Sequence, residues 1–346
     1  MEELLRVDSL ERRFGADTVL HGLDFRLARG EVLGLLGANG AGKTTCLRIL
    51  SGNLAPTRGR VRIAGLDLMR RPVAARRRIG YLPERPPLYP EMRVDEYLVF
   101  CARLRRLPPA SIAAAVQRTK RRCGLERSGR RLLGKLSKGY RQRAGLAQAL
   151  IHEPDLVILD EPTDGLDPVQ MREVRALIRD LLPGAGVLLS SHALGEVQAV
   201  CDRVLILRDG RALSETALDP ASAGRRLHVR LRNSPTLSQL GALAAVATAE
   251  PLGSTPVTAS GEGPPDPAPA AATGRFRIEL ADGHAADGLA QALVQAGWGL
   301  LELSLEQSDL ERLFFDSMAD AQGESLGHGE SRGDHTGDVR HAEAAA

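Results

Sequence analysis

Gly37-Ala38-Asn39-Gly40-Ala41-Gly42-Lys43-Thr44-Thr45 has the residue types and spacing that hold phosphate. Its glycines free the backbone to turn N–H groups inward. An apolar run (Val32 to Leu36) precedes it and a helical run (Cys46 to Leu50) follows, so a helix N-terminus adds its dipole to the same anion site. In such a loop Lys43 neutralises phosphate charge, and the Thr44 hydroxyl is placed to ligate Mg²⁺. Gly37, Asn39, Gly40, Gly42 and Thr45 complete the cradle, and the chemistry implied is binding of a nucleoside triphosphate. A second set lies at Asp160-Glu161-Pro162, after the four apolar residues Leu156 to Leu159. A strand there delivers both carboxylates to the C-terminal edge of an open α/β sheet, where ligands bind. Asp160 is expected to hold Mg²⁺ directly or through water, and Glu161 to act as general base for an attacking water, a role worth about 10²- to 10⁴-fold in rate. By itself Asp-Glu-Pro after a strand also reads as a helix-capping turn; the phosphate loop upstream gives it its meaning.

The elements that must position these groups are legible in outline. Residues 1–219 alternate between strand and helix, and runs such as Gly186 to Ser190 and Val204 to Leu207 suit strands buried on both faces of a mostly parallel sheet. Between about 85 and 150 the strand signal disappears and helical periodicity, broken at Pro108-Pro109, predicts an inserted helical subdomain. From about 225 to 320 the pattern changes again. Arg226 to Arg232 and Arg275 to Leu280 alternate like half-buried strands, each followed by a helix-like run, which predicts a small C-terminal α+β accessory domain made of two similar units. A Pro/Ala/Gly/Thr-rich stretch at 251–273 reads as a mobile loop. Ser308 and Glu311 form a capping box ahead of Leu310, Leu313, Phe314 and Met318 on one helix face. The tail at 321–346 reads as disordered, with His328, His335 and His341 as solvated residues.

Composition narrows the class. The 346 residues are 43% apolar with a net charge of +3, enough for ordinary buried cores and too close to neutral to name a partner. Aromatics at 3% argue against a nucleic-acid surface built on stacking, so no direct nucleic-acid contact is expected. The four cysteines, Cys46, Cys101, Cys123 and Cys201, have no CxxC or metal-ligand spacing and read as reduced, buried thiols. No apolar stretch approaches the ~18 residues of a spanning helix, and the charged N-terminus does not read as a signal peptide. A cytoplasmic chain is expected, meeting a membrane only through a partner.

The octapeptide Leu136-Ser137-Lys138-Gly139-Tyr140-Arg141-Gln142-Arg143 decides among nucleotide-binding proteins. Ser137 is placed to cap a helix from about Lys138 to His152, leaving its hydroxyl and the Gly139 N–H at the positive end as an anion site. Lying between the phosphate loop and the Asp160-Glu161 strand, it resembles the signature motif of ABC-type ATPases. That resemblance implies the α/β P-loop NTPase fold of ABC type, with ATP and Mg²⁺ as ligands. It also implies Phe14 as the aromatic stacked on adenine, a position that equally suits a core phenylalanine. Asp167, in Gly165-Leu166-Asp167-Pro168, falls at the D-loop aspartate that couples the two sites of a dimer. His192, after Ser190-Ser191, falls at the switch histidine that holds water and Glu161 in line. Ser137 and Gly139 would close on ATP bound by a second nucleotide-binding domain, so a dimer, a homodimer by preference, is implied.

Two departures refine the resemblance. Lys138 and Tyr140 replace the second glycine and the glutamine of LSGGQ. Glu84, in Gly80-Tyr81-Leu82-Pro83-Glu84, stands where most ABC ATPases have a glutamine that contacts Mg²⁺. With Pro86 to Met92, this resembles the ABC-2-type exporter branch that includes gliding-motility and multidrug ATPases. The implied function is ATP hydrolysis that energises an integral membrane permease from the inner face of the membrane. Mechanotransmission without transport is compatible with the same residues. A soluble ATPase acting on ribosomes or DNA is a poorer match, since such proteins carry tandem domains or long coiled-coil insertions. The cargo is not encoded in this chain.

Overall fold

The computed structural model describes residues 2–218, 226–252, 273–281 and 284–305. The helix expected after Ser308, most of the 251–273 loop, and the 321–346 tail with its three histidines lie outside them.

Chain order begins with two long strands, β1 (Glu3–Phe14) and β2 (Asp17–Ala28), then the short buried β3 (Val32–Leu36) and helix α1 (Lys43–Leu50). Strands β4 (Arg58–Ile63) and β5 (Leu66–Asp67), helix α2 (Pro72–Arg76) and strand β6 (Ile79–Leu82) follow. Three helices come next: α3 (Val94–Leu104), α4 (Pro109–Arg122) and α5 (Lys138–Leu150). Strand β7 (Leu156–Asp160), helix α6 (Pro168–Leu181), strand β8 (Gly186–Ser191), helix α7 (Leu194–Val200) and the hairpin β9 (Arg203–Arg208) and β10 (Arg211–Ala217) complete this part.

The central sheet runs β10-β9-β3-β8-β7-β6, with β9, β3, β8, β7 and β6 mutually parallel and β10 antiparallel at the edge. Its strands read as continuous apolar runs because both faces are covered. Leu33, Leu35, Ile158, Leu188 and Leu205 face a core shared with α1 and the N-terminal strands. Their neighbours Val32, Leu36, Val157, Leu189 and Ile206 face the helical side. Gly34 is required there, since a Cβ would stand 2.8 Å from both Cys201 Sγ and Val197 Cγ1 on and beside α7.

A second sheet, β2-β1-β4-β5, is wholly antiparallel, which the reading of 1–219 as a mostly parallel α/β unit does not foresee. The cause is local: β1, ELLRVDSLERRF, interleaves charges with its buried Leu4, Leu5, Val7 and Leu10 and is bent by register shifts after Val7, so it presents no apolar run.

In the helical region, Pro108 and Pro109 begin α4, a position where the missing N–H costs nothing. Lys120 of α4 is buried and meets Asp95 of α3 at 2.6 Å, pinning the two helices together. Gly145 lets α5 lie against Leu82 and Pro86, since a Cβ there would sit 2.7 and 2.8 Å from them.

The C-terminal elements are β11 (Arg226–Leu231), α8 (Leu237–Gly241), β12 (Val246–Pro251), β13 (Gly274–Leu280), α9 (Ala286–Gln295) and β14 (Leu300–Leu305). They form an antiparallel sheet of order β12-β13-β11-β14, the βαββαβ arrangement. Leu240, Leu289 and Leu293 cover one face of it through Leu227, Val229, Phe276 and Ile278.

Candidate functional site

The ends of β3, β7 and β8 converge on one polar cavity of about 400 Å³, lined by Asn39, Gly40, Gly42, Lys43, Thr44, Thr45, Glu84, Glu161 and His192, together with Val19 and Asp164. Gly40 and Gly42 take φ of 86° and 97°, the left-handed region where side chains are strained, and so let the loop close around α1. At Gly37 a Cβ would run into the Leu207 carbonyl, so the loop also needs glycine for close approach. Lys43 is 6% exposed, and its Nζ donates to Gly37 O at 2.7 Å and Ala38 O at 3.0 Å. Burial pulls its pKa down, against the opposing pull of Glu161 and Asp160. An ammonium held beside a glycine loop at the N-terminus of α1 is an anion site, and a triphosphate would relieve that burial cost.

Asp160 is buried at the end of β7. Its Oδ1 accepts from Ser190 Oγ at 2.7 Å and from Thr44 Oγ1 at 3.4 Å, while its Oδ2 is buried with no hydrogen-bond partner. Burial first, and then the charge of Glu84, raises its pKa. An orphaned carboxylate oxygen beside the Thr44 hydroxyl and the Glu84 carboxylate is a donor set for a hard divalent cation. Among the described residues, no group of three His, Cys, Asp or Glu side chains converges to hold a metal unaided.

Glu161 is 12% exposed, with one oxygen 4.0 Å from Lys43 Nζ and the other 2.9 Å from His192 Nδ1. Burial raises its pKa against the lowering effects of His192 and Lys43, which makes it a better proton acceptor than an exposed glutamate. Its backbone adopts φ 48°, unusual for a residue with a side chain, and is held there by its N–H donating to Ser190 Oγ at 3.0 Å. Strain of this kind costs on the order of 1–3 kcal/mol and persists where neighbours over-determine it. His192, half exposed, donates Nδ1–H to the carboxylate, and among the described residues no hydrogen bond engages its Nε2.

The other residues singled out in the sequence lie outside this cavity in the same chain. Phe14 ends β1, 45% exposed, with the Arg12 guanidinium 4.3 Å from its ring centroid on one face. Ser137 caps α5, its Oγ accepting from Tyr140 N at 3.4 Å. Gly139 is buried against the Gln170 amide, which occupies the place a Cβ would take. Asp167 caps α6, accepting from Val169 N at 3.0 Å and Gln170 N at 2.9 Å. The α5 end is nevertheless tied to the cavity: Gln142 Nε2 donates to Pro162 O at 3.0 Å, and Lys138 Nζ meets Asp164 at 3.1 Å.

Sequence reasoning did not single out Val19, Asp164 or Ser190. Asp164 follows the strand-end carboxylates closely enough to have been noticed. Ser190 was read only as strand. Val19 carries no local signal, because it reaches the loop through β2 crossing beside Gly42, 3.2 Å from where a Cβ of that glycine would lie.

Residues 20–164 match the family described as ABC transporter. The chain is 39% identical over 246 residues to the daunorubicin resistance ATP-binding protein DrrA3 of Streptomyces coeruleorubidus, covering 70% of this chain and 77% of that protein. It is 38% identical over 217 residues to Nod factor export ATP-binding protein I of Paraburkholderia xenovorans, covering 62% and 71%. The bacitracin transport ATP-binding protein BcrA of Bacillus licheniformis is 34% identical over 236 residues, covering 68% and 76%. Among solved structures, the ATP-binding subunit of an ABC transporter aligns with TM-score 0.58 and 35% identity over 62% of this chain and 90% of that one. A dimeric ATP-binding cassette bound to ADP and phosphate aligns with TM-score 0.57 at 22% identity, over 62% and 99%, a likeness of fold.

Proposed function

Because this chain belongs to the ABC transporter family as an ATP-binding protein, we propose that it is the ATP-hydrolysing subunit of an ABC-2-type exporter, driving a separate membrane permease through ATP-dependent closure of a dimer. The observation that carries the hydrolytic part is the Glu161 carboxylate, buried between Lys43 and His192 at the mouth of the phosphate loop. ATP lies with its phosphates along the loop N–H groups and Lys43, and its adenine on Phe14. Thr44, Asp160 and Glu84 would hold Mg²⁺, which would supply charge neutralisation on the phosphate oxygens. Glu161 takes a proton from water as that water's oxygen bonds the γ-phosphorus, and the bond from the γ-phosphorus to the bridging oxygen of ADP breaks. His192 keeps Glu161 aimed at the water and points Nε2 toward the transferred phosphate.

Ser137 and Gly139 serve the nucleotide of a second copy of the chain, and neither lines the cavity of its own chain, which supports that reading. Gln142 and Lys138 then link each nucleotide site to the helix end that serves the opposite one. Residues 1–219 form the ATPase, with its helical subdomain at about 85–150, and 225–320 form an accessory domain. No helix among the described residues is long and apolar enough to cross a membrane. In this reading the permease is a separate chain, met at the inner face. Glu161→Gln protein, loaded with ATP and recovered from native membranes, tests the assignment. A multi-spanning protein should co-purify; ribosomes or DNA in its place would overturn the exporter reading.

A further inference from the structure

Glu196, on the first turn of α7, does not line the cavity, yet it holds both segments that bring Glu161 and His192 together. Its Oε2 accepts from Thr163 Oγ1 at 2.6 Å and from Ser191 Oγ at 3.0 Å. Thr163 is buried in the turn that begins at Glu161, and Ser191 is buried at the end of β8, next to His192. Ser191 Oγ also accepts from Ala193 N at 3.0 Å, so the backbone on both sides of His192 is fixed through it. The Glu161–His192 contact at 2.9 Å spans the same two segments.

We propose that Glu196 is a positioning residue for ATP hydrolysis, fastening the Glu161 turn to the His192 segment through one carboxylate oxygen. The proposal rests on Glu161 acting as general base. It makes a specific demand on chemistry. Both hydroxyls converge on Oε2, and an amide oxygen offers the same two lone pairs, so the negative charge is dispensable and the reach is not. Glutamine should substitute; aspartate, one methylene shorter, should not.

The test is steady-state ATPase kinetics on the full chain with its second subunit and permease, alongside ATP affinity at equilibrium. Misplacement of a reacting group by ~1 Å can cost about 100-fold in rate. Glu196→Ala should therefore lower kcat by at least about tenfold while ATP affinity stays within about twofold. Glu196→Asp should resemble Glu196→Ala, and Glu196→Gln should recover most of the loss. Thr163→Val, which deletes one donor at nearly constant shape, should lower kcat on its own and add less than its full effect to Glu196→Ala. If Glu196→Ala fails to fold, the glutamine and valine variants still decide. An unchanged kcat in Glu196→Ala, a glutamine variant as slow as the alanine one, or strict additivity with Thr163→Val overturns the clamp. Glu161→Gln run in parallel separates the two levels. Retained turnover there removes the general-base reading, whereas a dead Glu161→Gln beside a fully active Glu196→Ala removes only the clamp.

Discussion

Ser190→Ala is the substitution whose effect can be worked most directly from the geometry. The Ser190 hydroxyl donates to Asp160 Oδ1 at 2.7 Å and accepts from the Glu161 N–H at 3.0 Å, and Ser190 itself is fully buried. Deleting the hydroxyl removes a charge-assisted hydrogen bond, worth about 1.5–3 kcal/mol, and strands a buried N–H at a cost of about 1–3 kcal/mol. Asp160 keeps only the long 3.4 Å contact from Thr44, since its other oxygen has no partner. The low ends of these ranges sum to about 2.5 kcal/mol. In a domain of this size that is a fall in melting temperature of roughly 5–10 °C. Because the lost acceptor also holds Glu161 at φ 48°, kcat should drop more than ATP affinity does. Calorimetry or fluorescence melting without nucleotide reads the first effect, and a coupled phosphate-release assay reads the second. A melting temperature within about 1 °C of wild type would mean that Ser190 is not the anchor of both carboxylate residues, and the account of how Glu161 is held would fail.

Phe14→Ala removes a half-exposed ring that Arg12 covers on one face; base stacking is worth about 1–3 kcal/mol, so ATP Kd measured by titration calorimetry should rise about tenfold with kcat at saturation preserved. An unchanged Kd would return Phe14 to an ordinary surface aromatic. Ser137→Ala should leave ATP binding to the isolated chain intact while abolishing the steep ATP dependence of hydrolysis, a Hill coefficient near one being the readout; steepness equal to wild type would remove Ser137 from the opposite site. His152 donates Nε2–H to Ile79 O at 3.0 Å, has its Nδ1 buried without a partner, and is pulled down to about 4 by burial and then by Arg105. Its folded pKa lies below the unfolded value of ~6.5, so its stability contribution is complete above that pH and is lost as pH falls toward about 4. Urea unfolding at pH 7 and pH 5 should show wild type losing about 2 kcal/mol more than His152→Gln, and equal losses would contradict the burial argument.

The chemistry-bearing parts of this fold were legible because they are local. A phosphate loop between strand and helix, a strand ending in two carboxylates, and Ser137 ahead of a helix are each written within about ten residues. The family likewise followed from the order of short motifs. Contacts made at a distance were not legible. Ser190 and Glu196 matter through side chains that meet residues about thirty positions away, and nothing in their neighbours marks them. The antiparallel sheet of β1, β2 and β4 was missed because half-buried strands with alternating charge resemble loops when read one segment at a time. The βαββαβ order of the C-terminal strands is a fact of pairing, of which the sequence displays only the repeat of strand followed by helix.

The account stands on Glu161 as the base in an ATP site of this chain, and Glu161→Gln tests it most directly. Gln keeps the size of the side chain and a hydrogen-bonding partner for His192, and removes the ability to take a proton. The steady-state rate should fall by at least about 100-fold, while ATP affinity, measured on the same preparation, equals or exceeds that of wild type. A variant that binds ATP normally and still hydrolyses it within about tenfold of the wild-type rate would contradict the assignment.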